Sequence, residues 1–218
     1  MTDGPAILGL QRNTLRMQAI EALRRAITTG ELPPGSHVSE IEMSTRLGIS
    51  RGTLREAMRT LELEGLITTG SRGRLLVRLM DEDELRDLFR VRAALEALAA
   101  RTLAEDPERG KAVSALRAAA DRMSAAENES LDIRMRADLD FHRELCGLTG
   151  NATLVRAWSA LESSILMSIT RSGIERAVQN MDVPRHLQIV EAIATGDPDH
   201  AAATVAEHMQ LATQTLVS

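Results

Sequence analysis

Apolar residues recur at helical spacing along most of the chain, and the places where the spacing changes mark its parts. Residues 12–29 put Ile20, Leu23 and Ile27 on one helical face, with Gly30 where a C-terminal glycine sits and Pro33-Pro34-Gly35 as a stiff turn. Ser39-Glu40-Ile41-Glu42 fits a capping box that opens a short helix ending near Leu47. Gly48 permits a tight turn, and Ser50 caps a helix reaching about Leu63. One face of that helix carries Leu54, Met58 and Leu61, a stripe suited to burial. Its other face carries Arg51 and Arg55, four residues apart and therefore neighbours. The period then shortens. Residues 66–69 and 74–78 read as strands around Gly70-Ser71-Arg72-Gly73, a small hairpin with a basic tip.

After Val77 the pattern is helical throughout. Asp81 and Glu84 cap a helix over about 82–104, Pro107 opens one over 107–126, and the pattern resumes over 129–148. Gly150-Asn151 ends that helix and caps the next, over 152–172; Pro184 opens the helix carrying His186, and Asp197-Pro198 opens the last, over 198–216. The expected fold is mainly α: a winged helix-turn-helix of three helices plus a β-hairpin over residues 11–78, then an all-α bundle of six or seven helices over 82–217. Residues 1–10 read as a loose arm.

Composition sharpens this picture in three ways. Phe89, Phe141 and Trp158 are the sole aromatics, which argues against a surface that stacks single-stranded bases. Net charge is −5, but residues 1–78 carry 11 Arg and 8 acidic residues, a charge of +3, while residues 79–218 carry −8. A locally basic unit still attracts DNA beside an acidic one, because salt confines charge to about 8 Å. Cys146 is the one cysteine, so no intrachain disulfide forms, as in a reducing cytoplasm. No apolar run reaches the roughly 20 residues that cross a bilayer. The opening Met1-Thr2-Asp3-Gly4-Pro5 lacks the basic and apolar regions of a secretory signal. The expected location is the cytoplasm, with no membrane partner.

Two constellations carry chemistry. Arg51 and Arg55 at a helix start can reach phosphates and the acceptor edge of guanine in a major groove, and Arg72 or Arg74 at the hairpin can lie along a backbone or in a minor groove. Farther on, Asp138 and His142 share a helical face at i, i+4, and His186 and His208 arrive from two other helices. One oxygen and three nitrogens suit a divalent transition metal, Zn²⁺ first, with Ni²⁺ or Mn²⁺ as alternatives. Such pairs also arise by chance, and dispersed histidines also serve as surface or satisfied core groups. His37 and His200 fall in turns and read as surface residues. Arg92 either pairs with Glu96 at i, i+4 or faces a cavity and holds a ligand carboxylate. Ser164, Ser168 and Arg171 share one face of an apolar helix, and buried polar groups there need partners, a ligand or a backbone carbonyl.

These residues resemble a known family. Ile27-Thr28-Thr29-Gly30, Leu32-Pro33-Pro34-Gly35, Ser39-Glu40, Leu47-Gly48-Ile49-Ser50-Arg51, Leu54-Arg55-Glu56-Ala57, Leu61-Glu62-Leu63-Glu64-Gly65-Leu66 and Arg72-Gly73 are similar to the winged helix-turn-helix of GntR-type bacterial repressors. Val91-Arg92-Ala93-Ala94-Leu95-Glu96, Asp138-Leu139-Asp140-Phe141-His142, Gly150-Asn151, His186 and His208 resemble the all-helical, metal-binding FCD effector domain of the FadR-type subgroup. The resemblance implies a homodimer on a palindromic operator in double-stranded DNA, touching it through Ser50, Arg51, Thr53, Arg55, Arg72 and Gly73. It implies Asp138, His142, His186 and His208 as metal ligands, with the metal holding the carboxylate of a small organic or sugar acid effector beside Arg92, Ser164 and Arg171. The chain departs from some members at Ile41, where they place a DNA-touching Arg, which shifts readout onto Arg51 and Arg55. The acyl-CoA-responsive member that names the subgroup lacks the metal quartet, so that effector is not expected.

The expected function is a ligand-responsive regulator, a repressor of a metabolic operon, and not an enzyme. Two rivals stand beside it. A metal-dependent hydrolase fused to a DNA-binding module would use the quartet to make hydroxide, but no general base is evident beside it. An architectural DNA-binding protein would ignore metabolites and chelators.

Overall fold

A computed structural model of the chain describes residues 15–172 and 174–217. The loose arm expected over residues 1–10 and the start of the first helix lie outside the described residues. The N-terminal unit holds α1 (Leu15–Thr28), α2 (Glu40–Leu47), α3 (Arg51–Leu63), and strands β1 (Ile67–Thr69) and β2 (Leu75–Val77). Its core is built by the stripes read from the sequence: Ile20, Leu23 and Ile27 of α1 pack with Leu54, Met58 and Leu61 of α3 and with Leu66, Ile67 and Val77 of the hairpin. The α2–α3 turn is set by Gly48, at φ +63°, and its amide bonds back into the last turn of α2. Ser50 caps α3 by accepting from the Thr53 amide at 3.1 Å.

The antiparallel hairpin pairs Ile67 with Val77 and Thr69 with Leu75, the first strand one residue shorter than the pattern suggested and the second one residue shorter at each end. A single 3-10 turn, Ser71–Gly73, forms its tip. The chain around His37 bridges Leu76 from the other side, with the Val38 amide donating to the Leu75 carbonyl at 2.9 Å. The Ser39 cap forms, accepting from the Glu42 amide at 3.4 Å, but the structure builds only this half of the expected box.

The remaining helices are α4 (Glu82–Glu105), α5 (Arg109–Ala125), α6 (Leu131–Gly147), α7 (Ala152–Ser159), α8 (Glu162–Ser172), α9 (Ile174–Asn180), α10 (Val183–Thr195) and α11 (Pro198–Val217). These eight, among the described residues, exceed the six or seven expected, because the stretch 152–172 breaks after Ser159 and α9 was not foreseen. Asp81 and Glu84 form the complete capping box of α4. Pro107 does not open α5: the Asp106 carboxylate accepts from the Glu108 amide at 2.8 Å, a turn that delays the helix to Arg109. Helices α4 and α11 run antiparallel, Arg101 meeting Asp199 at one end (2.6 Å) while Phe89 and Met209 share a wall near the other. Helix α8 touches both units: Ile165 joins the helical core, whereas Met167 is buried in the core of the N-terminal unit.

Candidate functional site

The start of α3 is an exposed face. Ser50, Arg51 and Arg55 are exposed and Thr53 half-buried, with the Ser50 and Thr53 hydroxyls 2.9 Å apart. Arg55 Nε donates to Glu40 Oε2 at 2.8 Å, which steadies the guanidinium and leaves both Nη groups available. Ile41 is exposed on α2, beside this face in sequence and bearing no charge. Gly73, at φ +71°, turns the exposed wing tip. The Arg72 side chain lies outside the described residues.

The second site is buried. His142 from α6, His186 from α10 and His208 from α11 each offer a ring nitrogen, all within 4.8 Å of one another. His142 Nε2 stands 3.1 Å from His186 Nε2, and Asp138 Oδ1 stands 3.1 Å from the same His186 nitrogen. The partners on the far sides of the rings assign their roles. His142 Nδ1 lies 2.6 Å from Glu96 Oε2, and His186 Nδ1 lies 2.8 Å from the Asp182 carbonyl. Both acceptors take an Nδ1–H, which orients each ring with its Nε2 toward the other. Two ring nitrogens and a carboxylate oxygen thus converge, an arrangement able to close around a cation. Donor atoms about 3 Å apart match adjacent ligands on an ion with bonds of about 2.1 Å, and rings oriented by a carboxylate or carbonyl behind them are the usual support of metal-bound histidine. His208 Nδ1 is buried and has no partner. The residues fit a divalent transition metal.

Electrostatics agree. Burial pushes His142 below the ordinary imidazole value despite Glu96, and burial with the neighbouring imidazoles pushes His208 well below it. Burial raises Glu96 and Asp138, but His142 and Arg92 outweigh it for Glu96, and His186 and His142 outweigh it for Asp138, so both stay ionised. In the unfolded chain the two histidines bind protons below about pH 6.5, where the folded rings still resist them, so acid favours unfolding. The chelated protein should therefore keep its Tm between about pH 8 and 7 and lose it progressively below about 6.5. A Tm that rose through that window would contradict neutral rings in the fold.

Arg92 makes the ion pair with Glu96 and also lines a cavity. Its Nε donates to Glu96 Oε1 at 2.7 Å, and its Nη2 is buried without a partner. It lines one small cavity with Asp138, His142 and His208. Ser164, half-buried on α8, is not among the residues lining that cavity, whereas its neighbour Ile165 is. The side chains of Ser168 and Arg171 lie outside the described residues. His37 and His200 are exposed. Glu96 is the member that sequence reading underrated: besides Arg92 and His142 it accepts from Trp158 Nε1 at 2.8 Å, tying α4 to α6 and α7. The available signal was two charges, Arg92 and Glu96, on the stripe of α4 that also buries Leu85, Phe89, Ala99 and Leu103. Asn180, which lines the cavity, was not singled out at all.

Known proteins give the chain its family. Residues 15–77 match the family model described as bacterial regulatory proteins, gntR family, and residues 87–211 match the FCD domain. The chain is 30% identical over 207 residues, 92% of this chain and 88% of the relative, to the "Probable D-xylose utilization operon transcriptional repressor" of Paenarthrobacter nicotinovorans. It is 29% identical over 177 residues, 81% of this chain and 82% of the relative, to the Nta operon transcriptional regulator of Aminobacter aminovorans. The solved structure of E. coli McbR/YncC superposes with a TM-score of 0.72, covering 94% of this chain and 97% of that one at 16% identity, a likeness of fold. No helix among the described residues is long and apolar enough to cross a membrane. The family and the relatives are regulators and not enzymes, which removes the hydrolase rival. With a winged helix-turn-helix carrying an exposed, arginine-bearing α3 and a helical unit carrying three buried imidazoles, the chain belongs to the GntR family of bacterial regulatory proteins and is a DNA-binding transcriptional regulator with an FCD domain.

Proposed function

We propose that this regulator is a cytoplasmic homodimeric repressor of a metabolic operon, and that a small organic or sugar acid, bound at a metal in the helical unit, sets its grip on a palindromic operator. In this reading residues 11–78 form the DNA-binding domain and 82–217 the effector-binding and dimerisation domain. Ser50, Arg51, Thr53 and Arg55 enter the major groove, and Arg72 and Gly73 follow the backbone from the wing. Asp138, His142, His186 and His208 hold the ion, Zn²⁺ first and Ni²⁺ or Mn²⁺ as alternatives. The bound ion supplies a Lewis-acid docking point for a carboxylate. Arg92 faces the same point with its free Nη2, and Ser164 and Arg171 are proposed to complete the effector set from α8.

The single observation that carries this reading is the convergence of His142 Nε2, His186 Nε2 and Asp138 Oδ1 in the cavity that Arg92 also lines with its unpartnered Nη2. An architectural protein with no ligand leaves those groups unexplained. The printed name of the Paenarthrobacter relative, a sugar utilization operon repressor, agrees with the metabolic reading. Helix α8 offers a physical route between the sites, since Ile165 lines the cavity beside the histidines and Met167 sits in the N-terminal core that α1 shares with α3. A change in the cavity that moves α8 alters the packing of the DNA-binding unit.

A thermal-shift panel of organic and sugar acids, run with added Zn²⁺ and after chelation, tests the ligand half. A matching acid at a hundredfold excess over its Kd adds about 2.7 kcal/mol, and chelation should abolish the gain. Stabilisation indifferent to the chelator would put the acid elsewhere. Light scattering with operator DNA should find two chains per duplex, because two-fold symmetry doubles the readout; one chain per duplex would overturn the dimer.

A further inference from the structure

A large aliphatic side chain stands exposed beside the arginines of α3. Ile41, the second residue of α2, is 60% exposed, whereas Met43 and Ser44 are the residues that α2 buries. Its place is fixed by its neighbour. The Glu40 carboxylate accepts from Arg55 Nε at 2.8 Å, so the first turn of α2 abuts the exposed face at the start of α3. The Ile41 carbonyl accepts from the Ser44 hydroxyl at 3.0 Å and from the Thr45 hydroxyl at 2.9 Å, which steadies the backbone that carries the side chain. In a helix a β-branched residue keeps essentially one χ1 rotamer, so the aliphatic tip is presented without further ordering.

Duplex DNA offers two surfaces to such a tip. The sugar-phosphate strand is the poorer match, because Ile41 stands between Glu40, whose charge is spent on Arg55, and Glu42, an exposed carboxylate that repels phosphate. The floor of the major groove carries an apolar group of the right size, the C5-methyl of thymine. Apolar surface on both partners then leaves water together.

Resting on the placement of α3 in the major groove, we propose that Ile41 is a specificity-determining residue that packs against a thymine C5-methyl beside the base pair read by Arg55. The first turn of α2 then selects by apolar contact where the first turn of α3 selects by hydrogen bonds. The Glu40–Arg55 pair couples the two, since it holds both helix starts in one register on the DNA.

The test uses the full-length protein. Selection from a pool of random duplexes supplies a specific site, and each thymine of a half-site is then replaced in turn by uracil, which removes the methyl and keeps the base pair. Fluorescence anisotropy measures the affinity. Loss of one buried methyl should weaken wild-type binding about fourfold, and loss in both half-sites about fifteenfold. One thymine per half-site should respond. Ile41→Ala should bind the thymine and uracil duplexes equally, and Ile41→Val should restore most of the preference. Circular dichroism should show both variants folded, since the side chain is exposed. Indifference of the wild type to uracil at every position would overturn the proposal. So would a preference that survives unchanged in Ile41→Ala, because the methyl would then belong to another side chain. Equal weakening of the selected and scrambled duplexes by Ile41→Ala would place the residue on the sugar-phosphate strand instead, and overturn it too. Enrichment of no duplex, or an Arg55→Ala variant that binds the selected site as tightly as wild type, would remove the groove placement of α3 itself, and this inference with it.

Discussion

His186→Ala is expected to empty the metal site and silence the effector response while leaving operator binding without effector nearly intact. His186 is fully buried, its Nδ1 is committed to the Asp182 carbonyl, and its Nε2 is the atom that both His142 and Asp138 approach at 3.1 Å. Its loss removes the donor that both neighbours approach and leaves the site one ligand short. Disturbing merely the support behind a ligand typically costs 10–100-fold in metal affinity, so removing a ligand should cost more than about a hundredfold. Metal analysis should find about one ion per wild-type chain and almost none in the variant. The DNA-facing residues share no partner with His186, so basal operator affinity should change by less than about 0.5 kcal/mol. Equal metal content and equal response in both proteins would refute the ligand assignment. Purification must avoid a chelating column, which strips or replaces the ion.

Arg55→Ala is expected to abolish specific operator binding while weak, salt-sensitive binding persists. The side chain is exposed at the start of α3, and Glu40 takes its Nε, so both Nη groups remain to meet a guanine edge. A bidentate pair of this kind is worth roughly 1–3 kcal/mol of discrimination, and a palindrome presents it twice. Nonspecific binding rests on phosphate contacts and survives with its steep salt dependence. Gel shifts on operator and scrambled duplexes, each over a range of salt, separate the outcomes. An equal loss on both, with the salt slope reduced by about one unit, would make Arg55 a phosphate contact.

The two sites differed in how far sequence could carry them. The DNA-facing unit was legible because its signals are local. Ser50 caps by reaching three residues ahead, Gly48 turns the chain at positive φ, and the apolar positions Leu54, Met58 and Leu61 repeat at spacings that bury one face and expose Arg51 and Arg55 on the other. Asp-Pro dipeptides show where local reading stops. At Asp197-Pro198 the carboxylate accepts from the amides of both Asp199 and His200, and α11 starts at the proline. At Asp106-Pro107 the carboxylate accepts from Glu108 alone and holds a turn first. The same two residues give both results, and the following backbone decides between them.

The break within 152–172 shows the limit more sharply. No Gly or Pro interrupts that stretch. Trp158 is held through its indole N–H by Glu96, whereas Ile165 belongs to the cavity beside His142 and His208 and Met167 to the other unit's core, demands that divide the stretch between α7 and α8. Long-range packing overrides local propensity there.

By itself, then, the sequence determined the elements of the N-terminal unit, the Ser50 and Asp81 caps, the exposed face of α3 and the placing of Asp138 and His142 on one face of α6, because each depends on residues within a turn or two of one another. The tertiary structure alone decided that Glu96 stands behind His142, that Asn180 and Arg92 share one cavity, and that α8 spans both cores. Those contacts join residues tens of positions apart, through helix crossings whose geometry is set by the packing of whole faces, and no periodicity along the chain encodes which faces meet.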